Sequence, residues 1–189
     1  KVVLMSPKQV REEIDSIVAD TVNILDRIYE GKYESDKRYL KELTTKAMRL
    51  AHSDIADADA IRELGEGWVA EETWAIALYS AIRHIDSVED AIIASVNHDG
   101  DSDSTGSVCG NVMGAIYGYE HIKERNIFCP EGKTLDDTLE LSHIILALAD
   151  DLTLSSMYAT RQCMPNGTSE DKQWYDRYVK MKPAGIAKK

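Results

Sequence analysis

The chain has 189 residues, of which 43% are hydrophobic and 29% are charged. This composition excludes a disordered chain, and no apolar run approaches the roughly 18 residues that a membrane-spanning helix needs. The 33 acidic and 22 basic residues give a formal net charge of -11. Because binding to a nucleic-acid backbone needs clustered lysine and arginine, the charge argues against nucleic acid as a partner and is compatible with cation binding.

Helical periodicity runs along most of the chain, and no segment shows the sustained alternation that is typical of strands. The residues from Ser6 to Gln9 form a capping-box pattern with a first-turn proline, so a first helix is predicted to begin there and to stop near Gly31. Further helices are predicted, in chain order, over residues 36–51, 56–64, 68–85, 88–96, 104–122, 134–152 and 169–178. We therefore predict an all-α protein, with one helical domain over 1–179 and a basic flexible tail over 180–189.

The three cysteines, Cys109, Cys129 and Cys163, are odd in number and widely spaced, without a C-x-x-C pair. Such spacing is not that of a disulfide framework or a zinc ribbon. We therefore expect reduced thiols and a cytoplasmic protein.

The most informative segment is the loop from Asn97 to Gly106, with the sequence NHDGDSDSTG. Asp99, Asp101 and Asp103 alternate within five residues, and no lysine or arginine occurs over residues 84–122 to neutralise them. Carboxylate and hydroxyl oxygens suit a hard cation such as Mg²⁺. An EF-hand fits neither register, because a loop starting at Asp99 or Asp101 ends on glycine or valine where a bidentate glutamate is needed. The loop alone leaves a metal site and a solvated acidic turn as alternatives.

Glycines recur at every fourth position from Gly106 to Gly118. On a helix they form one stripe, and each interior glycine costs about 1 kcal/mol relative to alanine. We therefore expect this helix to pack very closely against another. We also expect its N-terminus to present the aspartates, with Asp103 or Ser104 as the capping residue.

Three stretches of the chain resemble a known family. The loop from Asn97 to Gly106, followed by Gly110-Asn111 and by Gly114 to Gly118, resembles the C-terminal metal motif of the ADP-ribosylglycohydrolases. The segment LGEGWVAEE, from Leu64 to Glu72, is similar to their G-x-G-W-x-x-E segment, and the stretch from Leu139 to Leu152 is similar to their closing helix. The order and the spacing of all three stretches fit the family.

The resemblance implies a compact, orthogonal bundle of helices that binds a pair of Mg²⁺ ions, with Mn²⁺ as an alternative. It implies hydrolysis of the glycosidic bond that links ADP-ribose to a modified acceptor, and ADP-ribose or an ADP-ribosylated substrate as the ligand. Asp101, Asp103 and Ser104 are then metal ligands, with the serine hydroxyl in place of the family's usual threonine.

The other candidate residues lie beside these ligands. The resemblance implies that Gly65, Gly67 and Trp68 lie near the ADP-ribose. We expect Asn97 and Asp99 to shape the loop behind the ligands rather than to bind the metal.

Three further features favour structural roles. His98 is expected to be a hydrogen-bonded structural residue rather than a general base. Glu71 and Glu72 are expected to be acids in the first turn of a helix. The segment from Leu135 to Thr138 looks superficially like the family's T-D-D-T motif, but it follows the glycine-rich helix, in the wrong order, and is interpreted as an ordinary helix start.

The chain departs from the family pattern before Leu64. The G-D-A-x-G segment, the metal-binding glutamate and the T-D-D-T motif of the family's N-terminal half do not occur there. Since the chain also begins at Lys1 rather than at Met, we expect it to be the C-terminal part of the domain, incomplete at the N-terminus, with the missing N-terminal half as its partner. The alternative is a catalytically inactive helical module that binds ADP-ribose or a cation.

Overall fold

Helices form all the regular secondary structure in the computed structural model, which describes the backbone of residues 5–161 and the side chains of residues 5–150 and 152. No strand occurs over residues 5–161, which confirms the predicted all-α class. The predicted helix over 169–178 and the tail over 180–189 lie outside the described residues. The helices are α1 (Pro7–Ile28), α2 (Glu34–Ala51), α3 (Asp57–Leu64), α4 (Ala70–Arg83), α5 (Val88–Val96), α6 (Ser102–Tyr117), α7 (Tyr119–Arg125), α8 (Leu135–Thr138) and α9 (Ser142–Arg161).

The chain divides into two compact units, the first ending at Phe128 and the second beginning at Cys129. The first unit contains α1 to α7, and the second contains α8 and α9. The single domain over 1–179 stays a prediction. Among the described helices, none has the combination of length and apolarity that crossing a bilayer requires.

The first unit is built around α4, which packs against α2, α3, α5 and α6. Every residue of α4 from Ala75 to Ile82 is buried, as expected for a helix that has neighbours on all sides. Ile76 and Tyr79 pack in a cluster with α2 and α3, and Ala77 and Ala81 pack in a second cluster with α5 and α6. The helix α4 therefore joins the two clusters that make up the core of the first unit.

Two predicted helix starts are confirmed by their caps. Ser6 accepts a hydrogen bond from the backbone N–H of Gln9, whose side chain accepts one from the Ser6 backbone N–H. Ser87 accepts a hydrogen bond from the backbone N–H of Asp90 at 3.2 Å and so caps α5. Each side chain satisfies a backbone donor that has no partner inside its helix.

The prediction of one continuous helix over 104–122 was wrong. The helix ends at Tyr117 because Gly118 has a φ of 79°, and α7 begins at the next residue. The prediction of a cap at Asp103 or Ser104 was also wrong, since α6 begins earlier, at Ser102, with Asp101 as its N-cap residue.

Close packing of the glycine stripe is present at one position. A Cβ atom on Gly106 would lie 2.5 Å from the Cγ1 atom of Val96, so α5 approaches α6 there. A Cβ atom on Gly110 would lie at an ordinary 3.7 Å from Ile92, and at Gly114 and Gly118 it would meet no described atom within 4 Å. The stripe therefore includes one close helix contact and, at Gly118, one helix end.

In the second unit, the predicted helix over 134–152 is interrupted. It divides into α8 and α9, and Leu141 between them has a φ of 57° that nothing in the structure explains. The carboxylate of Asp137 accepts hydrogen bonds from the N–H and the hydroxyl of Thr134, which forms a capping box. The segment from Leu135 to Thr138 is therefore a helix start, as expected.

Candidate functional site

The loop between α5 and α6 is organised around His98. The backbone N–H of Gly100 donates a hydrogen bond to Nδ1 of His98 at 3.0 Å. Nδ1 is therefore an acceptor, and the proton of the neutral ring lies on Nε2. Nε2 lies 3.1 Å from the carbonyl oxygen of Ser95 and 3.0 Å from the hydroxyl of Thr105, which itself donates to Ser95. His98 is thus hydrogen-bonded within the loop, as the sequence predicted.

A second segment, residues 65–68 between α3 and α4, packs directly onto this loop. The backbone N–H of Asp101 donates to the carbonyl oxygen of Glu66 at 2.8 Å. A Cβ atom on Gly100 would lie only 1.8 Å from that oxygen, so only glycine fits at this position. Gly67, with a φ of 81°, also lies close to this loop, since a Cβ atom there would lie 2.9 Å from Cγ2 of Thr105. The two segments therefore form one continuous surface.

Asp101, Asp103 and Ser104 lie together at the start of α6. A hydrogen bond with the carboxyl group of Asp103, and another with the Ser104 hydroxyl, hold the pKa of Asp101 below its ordinary value. Asp103 also accepts a hydrogen bond from the backbone N–H of Ser104 at 2.9 Å. The three side chains thus present two carboxyl groups and one hydroxyl at a single place.

This donor set fits part of a site for a hard cation. Carboxylate and hydroxyl oxygens are the ligands that Mg²⁺ takes in proteins. Within the part of the chain that the structure describes, no group of three or more carboxylate, imidazole or thiol side chains is placed to hold a metal ion. The metal role of Asp101, Asp103 and Ser104 stays a prediction, and a complete site would need further ligands.

The predicted ligands line an open cleft of about 740 Å³ together with Gly67 and Trp68. Trp68 is 66% exposed, and its indole N–H donates to the carboxylate of Glu66 at 3.0 Å. The structure therefore brings two of the three predicted substrate residues to the predicted metal ligands. The other residues that line this cleft are Val69, Ala70, Thr73, Trp74, Ser107 and Val108.

Gly65, Asn97 and Asp99 lie instead in a second cleft, of about 670 Å³. The two clefts share Trp68 and Val69. The predicted ligands do not line this second cleft, so the structure places Gly65, Asn97 and Asp99 in a different cleft from Asp101, Asp103 and Ser104.

Several residues that line the first cleft were not predicted from the sequence. Ser107 and Val108 follow Ser104 by three and four positions, which places them on the same face of α6, and this spacing was a usable signal. Thr73 donates a hydrogen bond to the carbonyl oxygen of Gly67 at 2.7 Å. No local pattern indicated that contact, because it depends on how the loop before α4 folds back.

Comparisons with known proteins agree with the resemblance. The chain matches the profile of the ADP-ribosylglycohydrolase family over residues 3–160. ADP-ribosylhydrolase ARH3 of Homo sapiens and the same protein of Bos taurus are each 24% identical to the chain over 127 residues. These alignments cover 62% of this chain and 34% of each relative, so the chain spans about a third of the curated relatives that it matches. No solved structure matches the chain.

Proposed function

Because the chain belongs to the ADP-ribosylglycohydrolase family, we propose that it forms part of a hydrolase that cleaves the glycosidic bond between ADP-ribose and a modified acceptor. One observation carries this proposal. Two segments that are distant in the sequence meet at one cleft, with Asp101, Asp103 and Ser104 on one side and Gly67 and Trp68 on the other. An open cleft with convergent oxygen donors and an exposed aromatic ring suits a ligand that has both phosphates and a planar base.

We propose that the cleft binds a pair of Mg²⁺ ions, or Mn²⁺ in their place. When bound, the ions would supply positive charge for the negatively charged part of the substrate and for the attacking water. Asp101 and Asp103 supply carboxylate oxygens and Ser104 its hydroxyl, and the remaining ligands come from outside this set. We propose that they come from an N-terminal part of the family domain, since the chain spans about a third of the curated relatives that it matches.

The other residues of the cleft would contact the base and the sugars of the ligand. Trp68 offers an exposed ring face on which a planar group can stack. Val69 and Val108 provide apolar surface beside it. A cytoplasmic location belongs to the same proposal, and the buried Cys109 thiol is compatible with it.

An assay of ADP-ribose release tests the proposal. The purified chain, incubated with Mg²⁺ and an ADP-ribosylated peptide, is expected to bind ADP-ribose but to release none, because its donor set is incomplete. Addition of the proposed N-terminal part, or expression of a longer protein that includes it, is expected to produce release. Release by the chain alone would contradict the proposal that ligands are missing.

A second candidate function is a catalytically inactive module that binds ADP-ribose or a cation. The observation that favours it is the incomplete donor set of the described residues. The same assay separates the two functions, since an inactive module would release no ADP-ribose even in the longer protein.

A further inference from the structure

The peptide unit that joins Glu66 to Gly67 is hydrogen-bonded at both ends by other segments. Its carbonyl oxygen accepts from the backbone N–H of Asp101 at 2.8 Å. Its N–H donates to the Oε2 atom of Glu72 at 3.1 Å. Because a peptide unit is planar and rigid, displacement of one end moves the other. We propose that Glu72 is a positioning residue that places Asp101 through this one peptide unit, an inference that rests on the proposed function of Asp101.

The carboxylate of Glu72 holds the segment with two bonds. The same Oε2 atom also accepts from the backbone N–H of Glu66, at 3.2 Å. Gly65 and Gly67 have φ values of 122° and 81°, and the segment from Gly65 to Gly67 lies outside any helix, so Glu72 is the acceptor for the N–H groups of Glu66 and Gly67. Hydrogen bonds to an ionised acceptor are roughly twice as strong as those between neutral groups. One side chain therefore fixes two successive peptide units.

The space for this carboxylate depends on Gly65. A Cβ atom there would lie 2.4 Å from Cδ of Glu72. Any larger residue at position 65 would displace the carboxylate from the two N–H groups. The glycine predicted to contact the substrate is thus required for the side chain that holds the loop.

We call the path from Glu72 through the Glu66–Gly67 peptide unit to Asp101 the relay, and its far end lies beside Asp101. A Cβ atom on Gly67 would be in ordinary van der Waals contact with the Asp101 carbonyl oxygen, at 3.5 Å, and with its Cβ atom, at 3.6 Å. Glu72 itself lies in the first turn of α4, the central helix of the first unit. The backbone of Asp101 is therefore positioned by the buried core through Glu72, and not only by its own loop.

Mn²⁺ binding to three variants tests the relay. Glu72→Ala removes both hydrogen bonds, and Glu72→Gln keeps an acceptor but removes its charge. Glu71→Gln is the matched control, because it removes the same charge from the same helical turn, and the Glu71 side chain makes no hydrogen bond or ion pair with the described residues. Substitution of a residue that positions a metal ligand typically weakens metal affinity by about 10- to 100-fold. We expect that loss for Glu72→Ala, a loss of a few-fold for Glu72→Gln, and a change below about twofold for Glu71→Gln.

Hydrogen exchange of the Asp101 amide gives a readout that needs no metal. Faster exchange at Asp101 in the Glu72 variants, with an unchanged rate at a distant core amide such as that of Tyr79, supports the relay. If wild-type chain binds no Mn²⁺, the proposed cation site fails, and the exchange rates alone decide the role of Glu72. If Glu72→Ala does not fold, Glu72→Gln gives the same comparison. If the Glu72 variants match Glu71→Gln in both Mn²⁺ affinity and the exchange rate of the Asp101 amide, the inference is overturned.

Discussion

The contact between Gly100 and the Glu66 carbonyl oxygen predicts a large effect for Gly100→Ala. The new Cβ atom would lie 1.8 Å from that oxygen and 2.6 Å from the Glu66 carbonyl carbon, so backbone must move. The movement breaks the 2.8 Å hydrogen bond between Asp101 and Glu66. A lost hydrogen bond costs about 1 kcal/mol and overpacking costs about 1–3 kcal/mol. We therefore expect the free energy of unfolding to fall by about 2–4 kcal/mol.

Urea unfolding and Mn²⁺ titration check this prediction together. Gly114→Ala is the matched control, because it makes the same substitution inside α6, where the added Cβ atom meets no described atom within 4 Å. That variant is expected to gain up to about 1 kcal/mol from the better helix propensity of alanine. Mn²⁺ affinity is expected to fall at least tenfold in Gly100→Ala only. If Gly100→Ala were as stable as Gly114→Ala and bound Mn²⁺ equally well, the contact between the two segments would not position Asp101.

Three further predictions follow from other contacts. Gly65→Ala is expected to reproduce the Mn²⁺-binding loss of Glu72→Ala, since its Cβ atom would lie 2.4 Å from Cδ of Glu72, and unaltered affinity in a titration would contradict this. Because Trp68 is 66% exposed, Trp68→Ala is expected to change the free energy of unfolding by less than about 0.5 kcal/mol. The same variant is expected to bind ADP-ribose roughly tenfold more weakly in calorimetry. Unchanged binding would show that Trp68 does not contact the ligand. Asp57→Ala is expected to cost about 1–3 kcal/mol at pH 7, because Asp57 accepts hydrogen bonds from the buried Tyr79 hydroxyl at 2.6 Å and from His84 at 2.9 Å. Burial raises the pKa of Asp57, but the hydrogen bonds from Tyr79 and His84, together with the charge interactions with His84 and Arg83, outweigh it and hold the pKa below 3.8. The contribution is therefore present above pH 3.8 and is lost as the pH falls through the lowered pKa. Urea unfolding of both proteins at pH 7 and pH 3 should show a smaller difference at pH 3, and an equal difference would refute the assignment.

Local sequence patterns are sufficient to predict a structural feature when that feature depends only on residues close together in the chain. The caps at Ser6 and Ser87 were predictable because each hydrogen bond spans only three residues. The placement of Asp101, Asp103 and Ser104 at one point follows from their adjacency at the start of a helix. These features need no knowledge of the tertiary fold.

Features that depend on tertiary contacts were not predictable in the same way. Gly106 and Gly118 belong to one regular stripe in the sequence, yet one permits a close approach of α5 and the other ends α6 with a positive φ. Glycine serves both purposes for the same reason, the absence of a Cβ atom, so the sequence does not distinguish them. The contact of Gly100 with Glu66 joins segments that are far apart in the chain, and no spacing rule indicates such a partner.

Titration of Mn²⁺ into the wild-type chain and into single aspartate variants measures whether Asp101 and Asp103 bind a cation. Asp101→Asn and Asp103→Asn each remove one carboxylate from the cleft, and Asp99→Asn removes one from the same loop but outside that cleft. We expect the first two variants to lose at least tenfold in Mn²⁺ affinity and Asp99→Asn to stay within about twofold of wild type. Equal affinities in all four proteins, or no binding to wild type, would contradict the assignment of Asp101 and Asp103 as cation ligands.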